Sequence, residues 1–209
     1  MKYLNLFSKK YKKVLAFDGG GVRAIMGIYF LKKLEEESSK SIFESFDLFI
    51  GTSAGATNAL MLGMKGSSIK DLEKFWTIEN LKRIMNQSFI DKTSIFQTRP
   101  KYSNEGKKEI LYNFFENKKI GESLKPVVVT AYDLEARKPI LISSYGDPEV
   151  TAVQAANASS AAPIYFPTAN MKDGRWLIDG GIATNNPSLL GYVEAKKLFS
   201  TNNIKVLGI

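Results

Sequence analysis

Three short apolar runs, each broken off by glycine beside a reactive side chain, constrain this chain of 209 residues more than anything else in it. Val14-Leu15-Ala16-Phe17 leads into Asp18-Gly19-Gly20-Gly21. Phe46-Asp47-Leu48-Phe49-Ile50 leads into Gly51-Thr52-Ser53, and Trp176-Leu177-Ile178 into Asp179-Gly180-Gly181. Short apolar runs bounded by glycine suit buried parallel strands. Between the first two runs, Ile25, Ile28, Tyr29, Leu31 and Leu34 recur at helical spacing, and Glu35 to Glu37 supply a polar end. Strand, helix, strand predicts a parallel pair joined by a right-handed crossover. Ligands of open α/β sheets bind where the carboxyl ends of strands gather, and the sequence puts all three glycine motifs at such ends.

The rest of the chain extends this pattern. Residues 54–62 read as a helix opening directly after Ser53, and 69–83 as another with Leu72, Phe75 and Trp76 on one face. Residues 86–102, with weak periodicity and Pro100, read as a surface excursion or cap, and 105–116 as a helix. Residues 126–132 form a strong strand signal with 140–142 as its partner. The alanine-rich stretch 150–162 reads as a helix that stops before Pro163. Asn186-Pro187 opens a last helix, with Asn186 as N-cap and Pro187 at the first helical position. Residues 205–209 read as a strand that stops abruptly, so the expectation is a single domain over 1–209, truncated at its C-terminus.

Composition removes several chemistries. The chain has no cysteine and no histidine. That leaves no disulfide, no thiol nucleophile and no histidine–thiolate zinc set. No metal and no cofactor is expected. The formal net charge is +8, with basic residues scattered and no nucleic-acid module pattern. The default reading is a solvated surface; the sharper one is attraction to an anionic surface such as acidic phospholipid or nucleic acid. The N-terminus is too soon interrupted by lysine for a secretory signal. No apolar run reaches membrane-spanning length. The expected location is the cytoplasm or the periphery of a membrane.

Gly51-Thr52-Ser53-Ala54-Gly55 has the Gly-x-Ser-x-Gly form of a nucleophile elbow, in which a serine sits on a sharp strand-to-helix turn. The usual histidine base cannot exist here, so a serine nucleophile would need a carboxylate. Asp179 is the carboxylate whose surroundings match the other two sites; taken alone it reads equally well as a turn aspartate. The run Asp18 to Arg23 admits two readings. Its backbone N–H groups could stabilise an oxyanion, or, since Gly19-x-Gly21-x-x-Ala24 is close to a dinucleotide fingerprint, cradle a phosphate. The acidic residue expected at the end of a second strand is missing and Ser53 stands there instead, which favours the oxyanion reading.

Together these residues resemble the patatin-like phospholipase family. The resemblance rests on Asp18-Gly19-Gly20-Gly21-Val22-Arg23, the Ser53 elbow and Asp179-Gly180-Gly181, in that order. It also rests on Ala158-Ser159-Ser160-Ala161-Ala162-Pro163-Ile164-Tyr165-Phe166-Pro167 and on Ile182 to Pro187. Ala24 departs from it, where many members have glycine. The resemblance implies a three-layer α/β/α sandwich around a mainly parallel sheet and a metal-independent lipid acyl hydrolase of the phospholipase A type. It implies Ser53 as nucleophile and Asp179 as base. Gly20 and Gly21 would be the main oxyanion donors, with Gly19 in the same hole and Arg23 supporting. It implies a phospholipid or other acyl-ester lipid as substrate, peripheral contact with a membrane, and no nucleic-acid partner. It leaves any activating partner unnamed. An acyltransferase on the same dyad and an inactive lipid-binding domain are the alternatives. Members continue past the last strand, so a lid and part of the pocket wall would lie beyond Ile209.

Overall fold

The computed structural model describes residues 11–86 and 99–209. Among these, seven strands form one mixed sheet. β1 (Lys12–Phe17), β2 (Leu48–Gly51), β3 (Val127–Asp133) and β7 (Ile204–Gly208) run parallel in the order β7-β1-β2-β3. β4 (Lys138–Ser143) and β6 (Trp176–Asp179) each pair antiparallel with β3, and the two-residue β5 (Ala169–Asn170) pairs antiparallel with β6.

Side chains alternate across the sheet with period two. Val14, Ala16, Leu48, Ile50 and Val128 point to one face, where α8 (Ser188–Phe199) covers them. Gly191 lets α8 approach closely: a methyl there would stand 2.8 Å from Ile50 and 2.9 Å from Val14. Leu15, Phe17, Phe49, Val127 and Val129 point to the other face and join the larger core. That core is built with α1 (Ala24–Ser38), α2 (Ile42–Ser45), α3 (Ala54–Lys65), α4 (Ile69–Phe75), α6 (Glu105–Phe115) and α7 (Ala152–Ser159). The three layers are therefore unequal. α3 is buried on every side from Ala54 to Met64, as its alanine, leucine and methionine content requires.

Three expectations shift locally. The helix over 69–83 is two helices, α4 and α5 (Ile78–Ile84). Thr77 caps the second through the Asn80 N–H, while the Trp76 indole N–H is drawn to buried Asn58 Oδ1 at 2.7 Å. The helix over 150–162 covers only α7, because Thr151 and Gln154 form a capping box and the chain leaves the helix at Ser160. The last helix starts one residue later than expected: Pro187 is its N-cap, without a side-chain cap bond, and Asn186 Oδ1 accepts from Ser188 N–H at 3.0 Å in a turn ahead of it. Most of the excursion over 86–102 lies outside the described residues.

The feature that positions the site is the edge of β3. β4 occupies one side of β3 from Val128 to Asp133. The other side is shared: β2 takes Val127 to Val129, and β6, running the opposite way, takes Ala131 to Asp133. β2 and β6 thus meet tip to tip around Thr130. Buried Thr130 donates its hydroxyl to Thr52 Oγ1 at 2.8 Å, and Thr52 donates to the Thr184 carbonyl at 2.9 Å, stitching the two tips together. Asp179 therefore reaches the site from an antiparallel strand rather than from the parallel set. Among the described residues no helix is long and apolar enough to cross a membrane.

Gly180 sits against this junction, where a Cβ would overlap the Thr130 hydroxyl and lie 2.6 Å from its carbonyl carbon. Gly180→Ala is expected to destabilise the protein by about 1–3 kcal/mol or more, since backbone has to move to relieve the clash. A thermal midpoint equal to wild type would contradict the tight junction.

Candidate active site

The elbow follows from backbone crowding. Residue 51 ends β2 and α3 begins three residues later. A Cβ at Gly51 would collide with the Gly55 carbonyl oxygen, and one at Gly55 would lie 2.6 Å from the Asp18 carbonyl oxygen. Only glycine lets strand, helix start and neighbouring loop pack backbone to backbone. The turn is completed by Ser53 at φ 56°, ψ −123°, a conformation that strains a residue with a side chain. Its N–H donates to the hydroxyl of buried Ser159 at 2.9 Å.

Ser53 Oγ donates to Asp179 Oδ2 at 2.6 Å, across 126 positions of sequence. The other carboxylate oxygen accepts from Gly181 N–H at 2.7 Å, and the Asp179 N–H donates to the Ala161 carbonyl at 3.1 Å. Burial raises the Asp179 pKa, and the Ser53 and Gly181 hydrogen bonds and the Lys107 charge pull the other way without cancelling it. A raised pKa makes a carboxylate a stronger base toward a hydroxyl.

The glycine loop lies beside this pair. Gly21 has φ +57°, which favours glycine. The Arg23 guanidinium Nε donates to the Gly20 carbonyl at 3.3 Å, so Arg23 braces the loop. Gly19 differs from its expected role: its N–H donates to the Asn185 carbonyl at 3.0 Å, so it anchors the loop and is spent as a donor. No backbone acceptor among the described residues takes the Gly20 or Gly21 N–H. Asp18 lies apart from the pair, its Oδ2 accepting from Asn186 at 3.2 Å.

Ser53, Gly20 and Gly21 line a cavity of about 480 Å³. Its walls are mainly apolar, with Phe75, Trp76, Leu81, Ile84, Leu111 and Phe166 prominent. One wall residue was not readable from the sequence as part of a site. Lys107 on α6 is only 4% exposed, and desolvation lowers its pKa to about 7. Ser159 and Ala161 fall in the stretch that carries the family resemblance, but no role could be assigned to them before their contacts were seen. Among the described residues no cluster of acidic side chains could hold a metal ion.

A strained serine bonded to a buried carboxylate, at an apolar cavity edged by free backbone donors, has the geometry of an acyl-transfer site of the serine type. The patatin-like phospholipase family model matches residues 15–190, and the chain belongs to that family. It is 30% identical to "Patatin-like protein 4" of Arabidopsis thaliana, over 91% of this chain and 52% of that protein. It is also 30% identical to a "cGAMP-activated phospholipase" of Pseudomonas aeruginosa, over 94% of this chain and 61% of that one. The chain thus spans between half and two thirds of the length of these relatives. Among solved structures, VipD from Legionella pneumophila superposes with a TM-score of 0.65 at 16% identity, over 96% of this chain and 50% of that one, which shows a shared fold.

The backbone strain at Ser53 can be measured with two variants that both lack the hydroxyl. Ser53→Gly is expected to be more stable than Ser53→Ala by about 1 kcal/mol, because glycine adopts the positive φ freely. Chemical denaturation of the two variants checks this. Equal stability, or alanine as the more stable, would show that the turn stores no strain.

Proposed function

We propose that the protein is a lipid acyl hydrolase in which Ser53 and Asp179 act as a catalytic dyad. The observation that carries this reading is the 2.6 Å hydrogen bond from Ser53 Oγ to Asp179 Oδ2 at the edge of an apolar cavity. Family membership supports it. Ser53 Oγ attacks the ester carbonyl carbon while its proton passes to Asp179. The Gly20 and Gly21 N–H groups receive the developing oxyanion. The tetrahedral intermediate collapses, Asp179 returns the proton to the departing alcohol, and Ser53 holds the acyl group. Asp179 then takes a proton from water, whose oxygen attacks the acyl ester, and returns that proton to Ser53 Oγ as the fatty acid leaves. Arg23 and Gly19 hold the loop that presents the donors, and the step draws on no metal.

The substrate class follows from the cavity. Its mainly apolar walls suit a long acyl chain. Val22 and Tyr165, both lining the cavity, are exposed apolar or amphipathic side chains, so the opening can rest on a lipid surface. With a formal charge of +8, that surface is expected to be anionic. Binding to anionic vesicles should exceed binding to neutral ones at low salt and weaken as salt rises, since screening acts over about 10 Å at 0.1 M. Equal binding at low salt would remove the electrostatic part of the reading.

The dyad is tested by covalent labelling and lipid turnover. A fluorophosphonate should modify wild type at Ser53, as mapped by peptide mass, and leave Ser53→Ala unmodified. A lipid panel read by mass spectrometry should show fatty-acid release by wild type only. Asp179→Asn should lower turnover by about 10²–10⁴-fold, and the double variant should fall little further because the pair acts as a unit. The deprotonated carboxylate is the active form and its pKa is raised. Activity should therefore fall on acidification at a pH above the ordinary aspartate range. Near wild-type turnover by folded Asp179→Asn would refute the dyad, and acyl transfer to an added alcohol in place of hydrolysis would reassign the product.

A further inference from the structure

A buried lysine in an apolar cavity is costly unless its charge is used. Lys107 projects from α6 to the C-terminal end of α7. Its Nζ donates to the Ser160 carbonyl at 3.1 Å and to Ser160 Oγ at 3.3 Å, and lies 4.1 Å from the centre of the Phe166 ring. Ser160 Oγ in turn donates to the Ala156 carbonyl at 2.7 Å, so its lone pair is turned to the lysine. Ser160 caps α7, where the helix dipole favours a cation. The same turn holds both members of the dyad: Ser159 Oγ accepts the Ser53 N–H, and the Ala161 carbonyl accepts the Asp179 N–H.

We infer that Lys107 is a positioning residue of the site: its ammonium clamps the Ser159–Ala161 turn that orients Ser53 and Asp179, and its positive charge favours the Asp179 carboxylate over the carboxylic acid. This rests on the dyad reading above. The groups whose charge acts on Lys107 are Asp179 on β6 and Lys108 beside it on α6. Arg23, Tyr102 and Tyr165 line the same cavity. The coupling acts in both directions, the lysine pulling the Asp179 pKa down and the aspartate pulling the Lys107 pKa up.

The test is the pH dependence of Ser53 modification by a fluorophosphonate, which requires no lipid. Lys107→Met preserves length and removes charge. Its acid limb is expected to move to higher pH, since the lysine charge is what pulls the Asp179 pKa down, whereas Lys107→Arg leaves the limb in place. A purely structural lysine would scale the rate at every pH without moving the midpoint, and an unmoved limb in folded Lys107→Met overturns the inference. A reciprocal measurement decides the matter if that variant does not fold. Acetylation of Lys107 by acetic anhydride, followed against pH by peptide mass, should inflect at about 7 in the wild type and lower in Asp179→Asn. The same inflection in both proteins overturns the pairing. Failure of wild type to form any adduct on Ser53 would instead sink the hydrolase reading, leaving the acetylation experiment to judge the Lys107–Asp179 pair separately.

Discussion

The shared edge of β3 is the constraint on which the site depends. A strand has two hydrogen-bonding sides, and β4 fills one of them along nearly its whole length. The other must serve β2 and β6 together, and it can do so only if each stops where the other begins. Stopping two strands head to head leaves a gap one residue wide, opposite Thr130. The reactive groups lie at that gap because the loops leaving both tips must turn out of the sheet there. Thr52 and Thr130, both buried, are joined by a hydrogen bond at that gap.

The electrostatics follow from the same arrangement. Ending a strand inside the sheet buries the carboxylate that ends it, and burial raises the Asp179 pKa. The charge is made tolerable by Ser53 Oγ and Gly181 N–H, one on each oxygen, and by the Lys107 charge on α6. The turn after α7 ties these pieces together, since three consecutive residues, Ser159 to Ala161, touch the serine backbone, the lysine and the aspartate backbone in turn. α7 thereby links an outer helix to the reacting groups through main-chain and hydroxyl contacts.

Much of this was legible in the sequence, and the part that was not has a physical reason. The apolar runs ending in glycine located β1, β2 and β6, because burial on both faces leaves few alternatives for such runs. Their direction was hidden: an apolar run reads the same in parallel and antiparallel pairing, so the expectation of a parallel strand failed at β6, which runs antiparallel to β3. The break between α4 and α5 was hidden because Leu72, Phe75 and Trp76 keep helical spacing up to the very residue where Thr77 starts a new helix. Ser53 and Asp179 stood out since glycines flank them and histidine is absent. Lys107 did not, as a lysine on a helix otherwise reads as a solvated one, and only the fold brings it under Phe166 and beside Ser160.

The tip-to-tip junction also sets an order of assembly. The ribosome delivers the elbow and the glycine loop early, and β6 some 126 positions later. Until β6 slots in against Ala131 to Asp133, the serine has no carboxylate partner. The nascent or half-folded chain is therefore chemically inert on the proposed reading, and competence arrives in one step with closure of the sheet. That ties the onset of the proposed reactivity to the completion of a single tertiary contact.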